Sequence, residues 1–333
     1  ASETVVCHNV PFEQSWFEVL GESVPPERLV DTMLLAKRVS PGLPASLDAL
    51  CARYLPEISG YKAETDRLQA EGIPWWEMPR SEVLSRNLLD AHATWKLYEI
   101  LWNEVGPEGR KHHQEDVEIA LTVSKMAKRG LHFDIKKALE LRKKQEEIQE
   151  KCRELLPVLI SSPEQVGMYL DYLGAELPMT EKENYNTGAI TLQTIAYEAG
   201  EGLLRDTVKA VLEYRKAQKL IGTYVAGYAK RMGGDGRIRA DLRWPGTITW
   251  RPACSNPNLL NIPRGPEVRG LFTAPPGWLV FESDLSQAEL RIAAALSGDP
   301  ILCETFRSGA DLHSLTASRI FGIRPEDVTP DLR

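Results

Sequence analysis

Asp284 and Glu289, within Asp284-Leu285-Ser286-Gln287-Ala288-Glu289-Leu290-Arg291, are the residues whose types and spacing most directly suggest chemistry. The apolar stretch 278–283, which follows Pro275-Pro276-Gly277, predicts a strand, and 287–296 predicts a helix. An aspartate closing a strand is exposed and has backbone carbonyls beside it, the oxygen-rich setting that a hard divalent cation requires. Ser286 is placed to cap the helix, which would fix the turn. Glu289 falls on the first turns of that helix, where it can face the same cleft. The spacing by itself also fits a capped helix start carrying surface acids.

Charge distribution adds a second feature. The 333-residue chain has a formal net charge of −7, yet between positions 201 and 270 thirteen basic residues stand against six acidic ones. A basic segment on an acidic body suits phosphate-backbone binding on one surface, although solvated helix faces give the same count. Cys7, Cys51, Cys152, Cys254 and Cys303 are scattered, with no C-x-x-C pair. This argues against zinc or a disulfide framework and fits a reducing cytosol, with each thiol a small buried hydrophobe. No run approaches the roughly 20 apolar residues of a membrane helix, and the start lacks a signal-peptide pattern. A first residue of Ala1 rather than Met suggests a processed or truncated chain.

The elements that must position these residues are mixed. Residues 4–9 read as a strand and 81–103 as a helix, and the turn-rich Gly106-Pro107-Glu108-Gly109-Arg110 makes the best domain boundary. Residues 115–129 are helical, 131–134 extended, and 135–160 a long helix with Leu141, Ile148, Cys152, Leu155 and Leu159 in one stripe. Ser162-Pro163-Glu164 starts a new helix with a Ser cap and a first-turn Pro. Another long helix covers 202–232, Gly233-Gly234-Asp235-Gly236 signals a hairpin turn, 237–242 is strand-like, and 311–321 is helical.

The Asp284–Arg291 motif, followed by Leu296-Ser297-Gly298-Asp299 and Asp311-Leu312-His313, closely resembles the first palm motif of the family A DNA polymerases. Asn256-Pro257-Asn258-Leu259 and Asn261-Ile262-Pro263 resemble that family's segment around the primer–template terminus. Arg215, Lys219, Thr223 and Tyr224 resemble its thumb-tip pattern, and Met126, Gly130 and Asp134 the element that enters the palm before the thumb. These matches keep their order over about 220 residues of the chain.

The resemblance implies an α+β fold: an exonuclease-like (ribonuclease H-like) domain at 1–105, palm entry at 106–135, helical thumb at 136–235, and the first half of a polymerase palm at 236–333. It implies two Mg2+ ions, primer–template DNA and dNTPs, with attack of a primer 3′-hydroxyl on the α-phosphate. Asp284 is similar to the first metal-holding aspartate, and the Leu285 carbonyl, where the family often has Tyr, would be a further ligand. Glu289 resembles the glutamate that crowds the sugar 2′ position. Gln287, His313, Arg333 and Arg269 match nucleotide-contacting positions. Arg251, Asn258 and Asn261 would donate to minor-groove acceptors shared by every correct base pair. Arg215, Lys219 and Thr223 would hold duplex phosphates.

At the N-terminus, His8-Asn9-Val10-Pro11-Phe12-Glu13 resembles the second exonuclease motif with Glu in place of the usual Asp, and Asp90 resembles the third-motif aspartate. Arg86 stands where that motif has Tyr, and the first motif would precede residue 1. Glu13 and Asp90 are the candidate metal ligands there, and a degenerate domain kept for packing is the competing reading. The second palm aspartate lies beyond residue 333, so the resemblance implies a C-terminal polymerase portion, as continuation or partner chain, in the cytoplasm of a bacterium or phage-infected cell. A DNA-binding or 3′-5′ exonuclease subunit without polymerase activity is the alternative.

Overall fold

Strand β1 (Val5–Cys7) pairs in parallel with β2 (Leu29–Asp31), and helix α1 (Val10–Val19) makes the crossover that parallel pairing demands. Helix α2 (Thr32–Val39) leaves β2 directly, with Asp31 as its N-cap. The Asp31 carboxylate accepts the N–H groups of Met33 at 2.8 Å and Leu34 at 3.3 Å, and also those of Asn9 at 3.2 Å and Val10 at 2.7 Å at the start of α1. One buried side chain therefore satisfies two helix starts.

Residues 3–263, 265–329 and 332 are described by this computed structural model, and they fall into two units, Ala1–Pro276 and Gly277–Arg333. In the first unit, α3 (Leu47–Tyr54), α4 (Ala63–Ala70) and α5 (Arg80–Glu104) follow, and α5 passes into α6 (Gly106–Arg129) through Val105 and Gly106, whose φ is 67°. The Gly106–Arg110 segment thus opens a helix instead of forming a long turn. Pro107 sits in the first turn, where a missing N–H costs nothing. Leu35, Leu50, Leu97 and Leu101 form one core, and Cys7, Leu29, Leu34 and Val117 a second beneath α6.

Strand β3 (Leu131–His132) leads to α7 (Ile135–Leu155), capped by Asp134 through the N–H groups of Lys136 and Lys137. Helix α7 stops five residues short of the expected end. Its buried face is Ala138, Gln145, Gln149 and Cys152, while Leu155 and Leu159 are exposed. Of the expected stripe, Cys152 is thus buried, and Leu141 and Ile148 pack half-buried against the neighbouring cores. Helix α8 (Pro163–Tyr172) carries the expected Ser162 cap, and α9 (Ala189–Glu198) and α10 (Leu203–Lys219) complete a helical core around Leu170, Leu192 and Val208. From α10 the chain continues through a π turn, Leu220–Ala226, into α11 (Gly227–Ala229).

After the turn at 233–236, β4 (Arg237–Ile238) pairs antiparallel with β3, and β5 (Asp241–Arg243) pairs with β6 (Ala253–Ser255). Helix α12 (Pro266–Arg269) packs through Val268 with Phe133, Tyr228 and Ile238. The second unit contains α13 (Ala288–Ser297), α14 (Pro300–Arg307) and α15 (Leu312–Phe321). The expected strand at 278–283 does not form. Leu279 and Phe281 are 95% and 90% exposed, and no strand among the described residues pairs with this stretch. Without a neighbour to take its N–H and C=O groups, an apolar run gains nothing from strand geometry. The architecture is α+β and mostly helical. No helix among the described residues is long and apolar enough to cross a membrane.

Asp31→Ala leaves four N–H groups without their acceptor. It is expected to lower stability by about 3 kcal/mol, with Asp31→Asn losing less, measured as the shift in urea unfolding midpoint. An unchanged midpoint for Asp31→Ala would refute the double-cap assignment.

Candidate functional site

Three of the residues expected at DNA meet in one groove of the first unit. A cavity of about 480 Å³ is lined by Thr223, Tyr224 and Arg231 on one side and by Asn256, Asn258 and Asn261 on the other. The π turn makes this wall: its extra residue per turn offsets the helix face, and Gly222 and Gly227 leave the backbone uncovered. A Cβ on Gly227 would lie 3.2 Å from the Gly222 carbonyl. Asn258 accepts the Leu260 N–H at 3.0 Å through its side-chain oxygen, so its NH2 is the group turned to donation. Asn256, at φ 52°, donates to Asp241 at 2.9 Å. Arg231, whose guanidinium donates to the Gly227 carbonyl at 3.2 Å, brings a cation to the groove that motif reading did not single out.

Arg215 is placed differently from the expectation. It is half-buried, and its guanidinium donates to the carbonyl and hydroxyl of Thr187, so it ties α10 to the segment before α9. Burial pulls its pKa below the usual arginine value. Lys219 is exposed at the end of α10, and Arg269 is exposed at the end of α12.

Arg251 sits on the loop between β5 and β6. Its N–H donates to the Thr247 hydroxyl at 3.1 Å, its carbonyl accepts the Gly246 N–H at 2.9 Å, and the Trp250 N–H donates to the Thr247 carbonyl at 3.2 Å. Gly246 passes so close to Ala253 that an added Cβ would sit 2.1 Å from its nitrogen.

In the second unit Asp284 is exposed, as are Leu285, Glu289 and His313. Helix α13 begins not with a Ser286 cap but with Gln287 in the left-handed region at φ 53°. The Ser286 carbonyl instead accepts Arg291 Nε at 2.9 Å, and that guanidinium lies 4.8 Å from the Phe306 ring. Gln287 Nε2 donates to Asp311 at 3.4 Å, and Asp311 caps α15 through Ser314. The two helices that carry Glu289 and His313 are thus tied at their starts. Gln287, expected at the nucleotide, contributes this tie, while its buried Oε1 has no partner. Arg333 lies outside the described residues. The Asp284 carboxylate and Leu285 carbonyl are hard oxygen donors and fit Mg2+ chemistry, as part of a shell. Among the described residues no group of three or more His, Cys, Asp or Glu is disposed to hold a metal ion.

Glu13 and Asp90 do share a cleft, of about 930 Å³, with His8, Lys62 and Trp95. Asp90, however, is already engaged: Lys62 Nζ lies 3.2 Å from its carboxylate, and the Tyr61 hydroxyl donates to it. Lys62 also pairs with Asp48 at 2.9 Å. Burial, with the charges of Asp31 and Asp90 behind it, raises the Glu13 pKa, which favours the protonated acid. The His8 ring donates from Nδ1 to Thr32, whose hydroxyl is committed to the Cys7 carbonyl, and burial lowers its pKa. Arg86 pairs with Asp66 at 2.6 Å and stacks over Trp75, away from catalytic duty. The Lys62 ammonium on Asp90 occupies the place beside that carboxylate which a divalent cation would take. Lys62 and Tyr61 were not legible from the motifs, because they reach Asp90 from a different helix region.

A family model for DNA polymerase family A matches residues 134–333. DNA polymerase I of Bacillus subtilis (strain 168) is 32% identical over 272 residues, covering 77% of this chain and 30% of that protein. DNA polymerase I of Mycobacterium bovis is 31% identical over 318 residues, covering 91% of this chain and 34% of that protein. The chain therefore spans about a third of these relatives. A solved structure, the POL domain of Pol1 from M. smegmatis in complex with DNA primer-template and dNTP, superposes with a TM-score of 0.72 at 26% identity over 98% of this chain and 55% of that one. With the family match covering more than half of its length, this chain belongs to DNA polymerase family A.

Proposed function

We propose that this chain binds primer–template DNA and a deoxynucleoside triphosphate for template-directed DNA synthesis, with Asp284 as a metal-holding carboxylate of the palm. The observation that carries the reading is the exposed Asp284–Leu285 pair at the start of α13, inside the stretch that matches the family. Residues 1–105 act as an exonuclease-like region, 106–135 as palm entry, 136–235 as thumb and 236–333 as palm.

Two Mg2+ ions, when bound, supply a more acidic primer hydroxyl and charge stabilisation on the phosphates. Asp284 and the Leu285 carbonyl would hold them in part, and a second carboxylate from a further palm portion or partner chain completes the set. Glu289, in the first turn of α13, stands where a sugar 2′-hydroxyl would clash, and His313 and Arg269 offer donors to the triphosphate. Thr223, Lys219 and Arg231 hold phosphates of the duplex, while Asn258, Asn261 and Arg251 donate to minor-groove acceptors common to all correct pairs.

The acidic cleft serves a different end. Its tethered Lys62 ammonium supports a non-hydrolytic role, so the exonuclease-like region is a packing element of the polymerase.

Asp284→Ala is expected to cut primer extension by the complete enzyme about a thousandfold while duplex affinity stays level; surviving extension would overturn the assignment. Arg231→Ala should weaken duplex binding uniformly across sequences and lower the slope of log affinity against log salt by about 1 in anisotropy titrations. An unchanged slope would remove Arg231 from the phosphate path. With Mg2+ or Mn2+ present, release of nucleotide from a labelled 3′ end should stay at background. Metal-dependent release that disappears in Asp90→Ala would restore the hydrolytic reading.

A further inference from the structure

The loop that carries Arg251 rests on the N-terminal region. Lys37, near the end of α2, donates from Nζ to the Pro245 carbonyl at 2.9 Å. Ile248 lies over Gly42, where an added Cβ would come within 2.9 Å of its terminal methyl. Arg38, the next residue of α2, lies 4.6 Å from the centre of the Trp250 ring. Trp250 also meets Trp244 edge-on, with ring centres 6.2 Å apart and planes at 67°. Trp244 packs in turn against the core beneath α6.

Arg38 cannot swing away from this stack. Both of its nitrogens on one side donate to the Asp116 carboxylate of α6, NH2 at 2.9 Å, and Asp116 is only 5% exposed. A bidentate pair fixes the plane of the guanidinium, and a fixed plane is what a ring can stack on. Trp250 itself holds φ 58°, a conformation that costs a bulky residue energy and persists only where its surroundings enforce it. The immediate neighbour of this strained, stacked residue is Arg251.

We infer that Arg38 and Trp250 are positioning residues for Arg251, so that the N-terminal region sets the geometry of the primer-end contact. The inference rests on the reading of Arg251 as a donor at the primer terminus. It assigns the degenerate region a function in synthesis: α2 and α6 form the anvil against which the 246–251 loop is held, and Arg251 presents its guanidinium from a backbone that cannot relax. Without the ring-on-guanidinium contact only Lys37 and Ile248 still tie the loop to the N-terminal region, and the loop's internal hydrogen bonds open more often.

Two measurements on this chain separate the parts. Hydrogen–deuterium exchange reads the anchoring directly at the amides of Gly246, Trp250 and Arg251. Arg38→Ala leaves the buried Asp116 carboxylate without its cation, so Trp250→Gly is the companion variant; glycine accepts φ 58° and removes the ring, and Trp250→Phe, which keeps Cβ and a ring, separates the loss of the ring from the freer glycine backbone. Both should speed exchange at these amides about tenfold while the amides of α5 stay protected, and Trp250→Phe should keep most of the protection. Unchanged exchange in Trp250→Gly overturns the inference. Anisotropy with primer–templates matched or mismatched at the 3′ end then reads the function. Arg251→Ala and Trp250→Gly should each reduce the preference for the matched end by about fivefold, and the double variant no further. Independent, multiplying effects overturn the coupling. A normal preference in Arg251→Ala instead defeats the primer-end reading of Arg251, while the exchange result still decides whether Arg38 holds the loop.

Discussion

The carboxylate of Asp31 is the constraint on which the first unit is assembled. It is 1% exposed and accepts backbone N–H groups from the starts of both α1 and α2, so its charge faces the positive ends of two helices at once. Its own N–H donates to His113 Nε2 on α6, which fixes that imidazole with its proton on Nδ1, and burial keeps the ring neutral by lowering its pKa. Strand, two helices and α6 thus share one polar junction. One turn further along α6, Asp116 takes hold of Arg38, and through Arg38 the order reaches the loop at Trp250. The second unit has a smaller counterpart, where Gln287 and Asp311 join two helix starts.

How much of this could be read beforehand depended on whether the cause was local. Helices α5, α8, α13 and α15 were legible because local sequence signals, such as the Ser162 cap of α8, act within a few residues of where they are written. The 278–283 stretch misled for the opposite reason: its apolar content suits a strand, but strand formation is decided by a neighbour elsewhere in a sheet. Helix α7 shows a milder form, since Gln145 and Gln149 are buried by the helices around them against the apolar pattern. The π turn at 220–226 has no compositional marker beyond Gly222.

The site divides along the same line. Thr223, Asn258 and Asn261 were found through ordered motifs, and the groove brings them together. Arg215 looked like a phosphate ligand because nothing near it in the chain reveals Thr187 as its partner. Arg38 with Trp250, and Lys62 with Asp90, are pairs between separate segments of the chain, and although a motif marks Asp90, nothing near any member names its partner.

Lys62 has a consequence for how the N-terminal region can fail. A region whose acidic cleft depends on free cations is only as intact as the supply of those cations, and it loosens when they are withdrawn. Here the compensating charge is covalently part of the chain, so it has no dissociation constant and cannot be outcompeted or diluted away. Lys62 therefore offsets the charge of Asp90 in any ionic milieu where the fold itself survives.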